Sequence, residues 1–225
     1  MTAVRAVRKE RSIEMLTDSA VICGGTGKVL GFMPKQFAAA IPQCMIGATG
    51  DTRTVFEFGR RLHLRGIGTF DQLVEHAAEL WRESLDAAHS ERWRDLVGFQ
   101  ALALAGWSKQ REQLELYSLT SDESGLSENL TVLATSPTPD TNAMLAGFIE
   151  ALEADLEAFT TEDGIALFEQ LRRYPSQFAA DTAPAVGGEI HRITITETGV
   201  STKVVHRWPD QVGERIEPEE VRHGP

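Results

Sequence analysis

The sequence predicts an α+β layered sandwich in a chain of 225 residues. Two observations predict it: strand-like and helix-like patterns fall in separate runs, and no phosphate-binding turn opens a helix. The order is strands, two helices, strands, two helices and strands. Separate runs of this kind favour layered packing over alternating βαβ units. We therefore expect one domain over residues 1–208 and a charged tail over residues 209–225.

The first half of the chain carries the opening strands and the first helix pair. Residues 2–7 and 13–17 favour two short strands joined by a charged turn, and further strands are expected up to residue 32 and over residues 38–46. Apolar residues at helical spacing then predict one helix from residue 51 and a second through residue 85. Thr69 and Gln72 form a capping box that predicts the start of the second helix.

The second half repeats this order. Strand-like runs at residues 97–107 and 114–119 predict a hairpin, and a short strand follows at residues 130–134. One helix is expected from residues 137–140 to residue 159, and another over residues 162–173. Two closing strands, at residues 190–196 and 201–207, are joined by a turn at residues 197–199.

Composition excludes several classes of protein. The chain has 22 basic and 33 acidic residues and a net charge of −11, which argues against a nucleic-acid partner. No apolar run approaches the roughly 18 to 20 residues that a membrane helix needs. Cys23 and Cys44 form no CxxC, and no two histidines are spaced i, i+4, so neither a disulfide framework nor a metal site is indicated. We expect no cofactor, no membrane segment, no secretory signal and a cytoplasmic location.

Three features carry the chemical interpretation: Thr2 at the amino terminus, Asp18 within Leu16-Thr17-Asp18-Ser19-Ala20, and Gly47 within Ile46-Gly47-Ala48-Thr49-Gly50-Asp51. With these features the sequence resembles the proteasome β-subunit group of N-terminal-nucleophile hydrolases, which includes a bacterial two-ring peptidase. The resemblance covers residues 2–207 and implies a four-layer αββα sandwich. Residues 56–62 and 103–108 are also similar to proteasome-like proteins of bacteriophages and prophages.

The resemblance implies a catalytic role for five residues. Thr2 would be the nucleophile and, through its free amine, the base, while Lys35 would lower the proton affinity at the nucleophile. Asp18 would hold Lys35, the Gly47 N–H would supply the oxyanion hole, and Ser136 would help the amine to shuttle protons. The chemistry is sound on its own terms, because a threonine hydroxyl needs a base and an α-amine, with a pKa of about 7.7 to 8.0, is suited to neutral pH.

Each assignment has a structural alternative. Asp18 also fits a residue that ends a strand and accepts backbone hydrogen bonds. Lys28 competes with Lys35 as the site lysine. Gly47 also fits close packing between a strand and a helix, and Ser136 also fits a position just before a helix.

The chain departs from the family pattern near its final strands. Active members carry an Asp-x-x-Ser-Gly element there, whereas this chain has Ala183-Pro184-Ala185-Val186-Gly187-Gly188. Asp181 is the nearest acid, but it is displaced. If Met1 is retained, the Thr2 amine is held in an amide and the base is lost.

Two main hypotheses follow. The first is a threonine peptidase that assembles into rings and cleaves peptides after Met1 is removed. The second is an inactive proteasome-like protein with a structural or assembly role in a bacteriophage or prophage particle, with phage structural proteins as partners and a location in the virion. A non-proteolytic amidase is a third interpretation, because fold alone does not define the substrate.

Overall fold

A computed structural model gives the structure of this protein and describes residues 4–49, 52–88, 100–122, 125–126, 131–132, 157–173 and 184–218. In this part of the chain the strands are β1 (Val4–Arg8), β2 (Ile13–Thr17), β3 (Ala20–Ile22), β4 (Val29–Phe32), β5 (Gln36–Ala40), β6 (Gln43–Thr49), β7 (Gln100–Ser108), β8 (Gln113–Asp122), β9 (Gly125–Leu126), β10 (Thr131–Val132), β11 (Glu189–Ile195) and β12 (Val200–Arg207). The helices are α1 (Thr52–Leu64), α2 (Phe70–Ala88) and α3 (Thr161–Arg173).

The described strands form three antiparallel sheets. The first, called sheet 1, has the order β1-β2-β11-β12, so the chain's opening hairpin pairs with its closing hairpin. The second, called sheet 2, has the order β10-β8-β7-β6-β5, with β9 paired to β8. Strands β3 and β4, which follow β2 and precede β5 in the sequence, form a small separate hairpin.

Sheets 1 and 2 pack against each other through the apolar faces of their strands. Alternation along each strand places every second side chain in this interface. The buried apolar cluster between the sheets comprises Val4, Ala6, Ile13, Met15, Met45, Ala103, Ala105, Leu114, Leu116, Ile193 and Ile195. This interface fixes β1 and β2 of sheet 1 over β6 of sheet 2, and so determines which residues meet at the strand ends.

The helices cover the outer faces of these two sheets. Helices α1 and α2 bury Phe58 and Trp81 against sheet 2, with the two rings in an edge-to-face contact. Helix α3 buries Leu167 and Phe168 against Leu16 of sheet 1. None of the helices within the described ranges is long and apolar enough to cross a membrane.

Side-chain caps define where two helices begin. The Gln72 N–H donates to the Thr69 hydroxyl (3.2 Å), and the Thr69 N–H donates to the Gln72 carboxamide (3.3 Å), which confirms the predicted capping box. The same arrangement starts α3, where the Asp163 N–H donates to the Thr160 hydroxyl (3.1 Å) and the Thr160 N–H donates to the Asp163 carboxylate (2.8 Å).

The predicted fold class, an α+β four-layer αββα sandwich, is not supported and is corrected here. The described residues are mostly antiparallel β-structure in three sheets, with three short helices. The prediction required a helix pair on each outer face, whereas α3 is the single helix described on sheet 1, and the β3–β4 sheet has no place in that scheme. Most of the other helix predicted for that pair, from residues 137–140 to residue 159, lies outside the described residues, which resume at residue 157.

One strand boundary differs from the prediction. Residues 38–46 were expected to form one strand, but a turn at Ile41 and Pro42 divides them between β5 and β6, because proline cannot donate to a ladder. The domain boundary after residue 208 remains a prediction, and two residues beyond it are packed against the described chain. Asp210 lies in a buried ion pair, and Ile216 is 2% exposed.

Candidate functional site

A buried ion pair joins Asp18 and Lys35 at one end of the two packed sheets. The Lys35 ammonium lies 2.9 Å from Asp18 Oδ1 and 2.8 Å from Oδ2, and the two side chains are 1% and 0% exposed. Burial lowers the pKa of Lys35 from its ordinary value, and the Asp18 carboxylate opposes that shift through its charge and hydrogen bonds. Paired charges so completely removed from water are costly, and they are common at functional sites.

The backbone on both sides of this pair is fixed by hydrogen bonds. Asp18 follows the last residue of β2, and the next residue, Ser19, accepts the Met33 N–H at its carbonyl (2.8 Å). Lys35 precedes β5, and its carbonyl accepts the Ala48 N–H (3.3 Å) from β6. The pair therefore links the end of a sheet 1 strand to the start of a sheet 2 strand.

The loop before β11 closes over Asp18. The Gly187 N–H donates to Asp18 Oδ2 (3.3 Å), and the Gly187 carbonyl accepts the N–H groups of Ser19 (3.2 Å) and Ala20 (3.0 Å). Gly188 has a φ of +78°, and a Cβ there would lie 2.5 Å from Ser19 Oγ. A side chain at residue 188 would therefore be strained and would push this loop away from Asp18.

Gly47 lies in the interior of sheet 2 and faces sheet 1. A Cβ at this residue would lie 2.5 Å from Met15 Sδ, so glycine permits close packing between two sheets and not, as the alternative prediction had it, between a strand and a helix. Successive residues of an antiparallel strand direct their amides to opposite neighbours. Because the Ala48 N–H is directed to the β5 side, the Gly47 amide is directed to β7, where Gly47 lies opposite Ala103.

The structure brings together some of the sequence-predicted site residues. Asp18 and Lys35 are in contact, whereas Lys28 is exposed and pairs its backbone with Arg215. Thr2 and Ser136 lie outside the described residues, as does the displaced acid Asp181. The catalytic roles assigned to these residues remain predictions.

Sequence reasoning missed four residues around the pair. Gly187 was interpreted as introducing a strand, and Ser19 was not distinguished from its neighbours. Arg172 and Asp210, 38 residues apart, form a buried pair behind the Gly187 loop. The adjacent glycines at 187 and 188 were the one local signal of a close backbone approach, and no local pattern links Arg172 to Asp210.

The described residues offer no group of three histidine, cysteine, aspartate or glutamate side chains that could hold a metal ion. A cavity of about 720 Å³ lies among the three turns that follow β1, β7 and β11. Its lining includes Arg8, Arg11, Trp107 and Glu197 but neither Asp18 nor Lys35. This cavity and the Asp18–Lys35 pair therefore lie at opposite ends of the strands.

Comparisons with known proteins assign no family to the chain. No family model matches it, and no curated protein matches it. The resemblance drawn from Thr2, Asp18 and Gly47 therefore remains a prediction, and the function is argued from the geometry around Asp18.

Proposed function

We propose that this protein is an amide hydrolase of the proteasome-like threonine peptidase type, with Thr2 as its nucleophile after Met1 is removed. The buried Asp18–Lys35 pair is the observation that carries the proposal. The Lys35 ammonium, held by Asp18 at the end of β2, can lower the proton affinity of a threonine hydroxyl while the Thr2 amine acts as the base. The proposed substrate is a peptide bond or a related amide.

The register of sheet 1 supports this role for Thr2. Val4 lies opposite Thr17, the residue immediately before Asp18. Two further residues of chain reach at most about 7 Å, so covalent geometry keeps Thr2 near the end of β1 at which Asp18 and Lys35 meet. A nucleophile, a lysine and an acid can thus converge without a long loop.

The proposed reaction divides amide cleavage into two steps. The Thr2 hydroxyl oxygen attacks the carbonyl carbon while its proton passes to the Thr2 amine, and Lys35 stabilises the developing negative charge. The C–N bond breaks as the proton moves to the leaving amine, which leaves an ester on Thr2. Water then attacks this ester, with the Thr2 amine as base, and releases the carboxylic acid.

The proposal includes roles for Ser136 and for the Gly47 N–H, but it does not depend on them. Ser136 would assist proton transfer at the Thr2 amine. The Gly47 N–H would stabilise the oxyanion only if it left the β6–β7 ladder, so another donor must be considered for that role.

The proposal extends to assembly and location. We propose self-association into rings in the cytoplasm, with peptides as substrates inside the ring. Phe56 and Leu64 of α1, 52% and 67% exposed, are apolar side chains available for contact with another subunit. Size-exclusion chromatography with light scattering tests this, and a monomer would remove the ring without affecting the site.

An inactive proteasome-like protein is the second candidate function. One observation favours it: residues 184–188, which cover Asp18, carry neither an acid nor a serine. In that case the Asp18–Lys35 pair would stabilise the structure, and the protein would have an assembly role in a bacteriophage or prophage particle. Co-purification with phage structural proteins from an induced lysogen, with no hydrolysis by the isolated protein, would support this function.

The direct test combines intact mass with hydrolysis of a panel of fluorogenic peptide amides. We expect a mature chain that lacks Met1, hydrolysis by the wild type and by Thr2→Ser, and loss of hydrolysis in Thr2→Ala. Alanine at position 2 also permits removal of Met1, so the variant isolates the hydroxyl. Thr198→Ala, in an exposed turn, is the matched control. Full activity in Thr2→Ala, or a mature chain that keeps Met1, would contradict the proposal.

A further inference from the structure

The Arg172–Asp210 ion pair binds the backbone of the loop, residues 184–188, that covers Asp18. Arg172 Nη1 lies 2.7 Å from Asp210 Oδ2, Nη2 lies 2.5 Å from Oδ1, and the two side chains are 3% and 4% exposed. The guanidinium also stacks over the Trp208 ring at 4.9 Å. This bidentate geometry fixes both the distance and the orientation of the two groups.

Both members of the pair also bind the backbone on either side of Gly187. Arg172 Nη1 donates to the Val186 carbonyl (3.1 Å), and Asp210 Oδ2 accepts the Gly188 N–H (2.7 Å). A Cβ at Gly187 would lie 2.5 Å from Asp210 Oδ2 and 2.8 Å from Arg172 Nη1. The loop is therefore pressed directly against the ion pair.

The opposite side of the same loop contacts the candidate site. Gly187 donates its N–H to Asp18 and accepts two N–H groups at its carbonyl, and the Glu189 N–H donates to Ser19 Oγ (2.8 Å). Gly187 thus stands between two buried ion pairs, Arg172–Asp210 and Asp18–Lys35. The loop has no acid of its own, and Asp210 reaches it from 22 residues beyond Gly188.

We propose that Arg172 and Asp210 are positioning residues, which hold the Gly187 loop against Asp18 and thereby fix the orientation of the Asp18–Lys35 pair. Two charges buried at the back of a loop are poorly explained by packing stability alone, because apolar residues of similar volume do as well. They are explained if the loop must keep one position. For catalysis this inference rests on the proposed function, but the control of loop position does not.

Asp210→Asn tests the positioning role with little change of shape. The matched control is Asp71→Asn, because Asp71, like Asp210, accepts backbone N–H groups, here from Lys109 (3.0 Å) and Gln110 (3.3 Å), and pairs with an arginine. Asp71 lies in the first turn of α2 and contacts the turn after β7, away from Asp18. Both variants are compared with the wild type at equal temperature and pH.

The first readouts need no enzymatic activity. In Asp210→Asn we expect hydrogen exchange at Gly187 and Gly188 to quicken about tenfold or more, and Lys35 to become reactive towards acetic anhydride, with the strands of sheet 2 as protected as in the wild type. Asp71→Asn should leave both quantities unchanged. Equal exchange and equal Lys35 acylation in the two variants would overturn the proposal.

A second variant covers the case in which Asp210→Asn fails to fold. Arg172→Lys keeps the positive charge but loses the planar fork that joins Asp210 to the Val186 carbonyl. We expect an intermediate increase in Lys35 acylation, and no increase would contradict the proposal.

The enzymatic readout separates this inference from the proposed function. If the wild type hydrolyses peptides, Asp210→Asn should lower kcat about tenfold with little change in KM. It should also move the alkaline midpoint of the pH profile of kcat, at which Lys35 loses its proton, upward as water reaches Lys35. If the wild type is inactive but Lys35 acylation responds as expected, the proposed function fails while the positioning role stands. An unchanged kcat and pH midpoint in Asp210→Asn would overturn the catalytic part of the inference.

Discussion

The two ends of sheet 2 carry acid–base clusters of different construction. At the Asp18 end, the Asp18 carboxylate and the Lys35 ammonium are withdrawn from water. At the Asp71 end, Glu115 accepts hydrogen bonds from Arg111, Gln113 and Tyr117, and Arg111 remains 39% exposed. The Asp71 cluster begins at Ser108, five residues along β7 from Ala103, which lies opposite Gly47. Five residues of strand span roughly 17 Å.

The difference shows why the number of contacts does not identify a functional site. The Asp71 end has many hydrogen bonds, and they tie the β7–β8 turn to the first turn of α2. Burial opposes the shift, but hydrogen bonds and then the charge of Arg111 lower the pKa values of Asp71 and Glu115. The Asp18 end has a lysine whose pKa is lowered by burial, which is a costly arrangement for stability and a useful one for proton chemistry.

The largest expected effect is that of Lys35→Met. Removal of the ammonium leaves Asp18 buried without its counter-charge, so we expect the free energy of unfolding to fall by about 3 to 5 kcal/mol and activity to fall about 100-fold or more. Urea denaturation and peptide hydrolysis measure the two effects. The double variant Asp18→Asn/Lys35→Met should recover much of the stability and none of the activity. Recovery of activity would show that the pair is structural.

Glu115→Gln should have a smaller effect, confined to stability. The variant leaves Arg111 paired with Asp71, so we expect a loss of about 1 to 3 kcal/mol in the free energy of unfolding. Activity should stay within about twofold of the wild type, because the change is at the other end of β7 and β8. A loss of activity as large as that of Lys35→Met would remove the distinction between the two ends.

The stability contributions of the Asp18 end and of the Asp71 end should also change with pH, the first in the alkaline range and the second in the acidic range. The folded state lowers the pKa of Lys35, so between that value and about 10.4 the unfolded chain binds the extra proton, and the stability of the wild type relative to Lys35→Met should rise with pH. The folded state lowers the pKa of Glu115, so its contribution is present above about 4.3 and is lost as pH falls further. Denaturation at a series of pH values measures both slopes, and slopes of the opposite sign would contradict the assignment.

The smallest effect concerns the two cysteines. Burial against α1 and α2 raises the pKa of Cys44 to about 12, whereas hydrogen bonds from Thr26 and the backbone lower the pKa of Cys23. We expect iodoacetamide to modify Cys23 alone in the native protein at neutral pH, as measured by peptide mapping. Rapid modification of Cys44 would show that the core between sheet 2 and its helices is more open than described.

Local patterns predicted much of the fold at the level of elements. The opening hairpin, the capping box at Thr69 and the final hairpin follow from alternation, side-chain caps and turn residues, which act over a few positions. The predicted fold class was wrong because the number of sheets and the number of helices over each sheet depend on tertiary packing. The turn at Pro42 was missed because the apolar residues of β5 and β6 were interpreted as one strand.

The candidate site was also predictable only in part from the sequence. Asp18 and Lys35 were selected by resemblance, and only the structure distinguishes Lys35 from Lys28, because contact over 17 residues depends on how two sheets meet. Asp210 and Arg172 were not predictable, since charged residues in a tail and on a helix are normally solvated. The direction of the Gly47 amide depends on strand register, which spacing does not reveal.

Reaction with a peptide epoxyketone, followed by mass spectrometry, tests the central claim most directly. The hydroxyl of a terminal threonine adds to the ketone and its free amine opens the epoxide, so the adduct requires both groups on one residue. The account predicts one adduct per chain, located on Thr2 of a chain without Met1, abolished in Thr2→Ala and slowed in Lys35→Met. A chain that retains Met1 and forms no adduct, or an adduct that persists in Thr2→Ala, would contradict it.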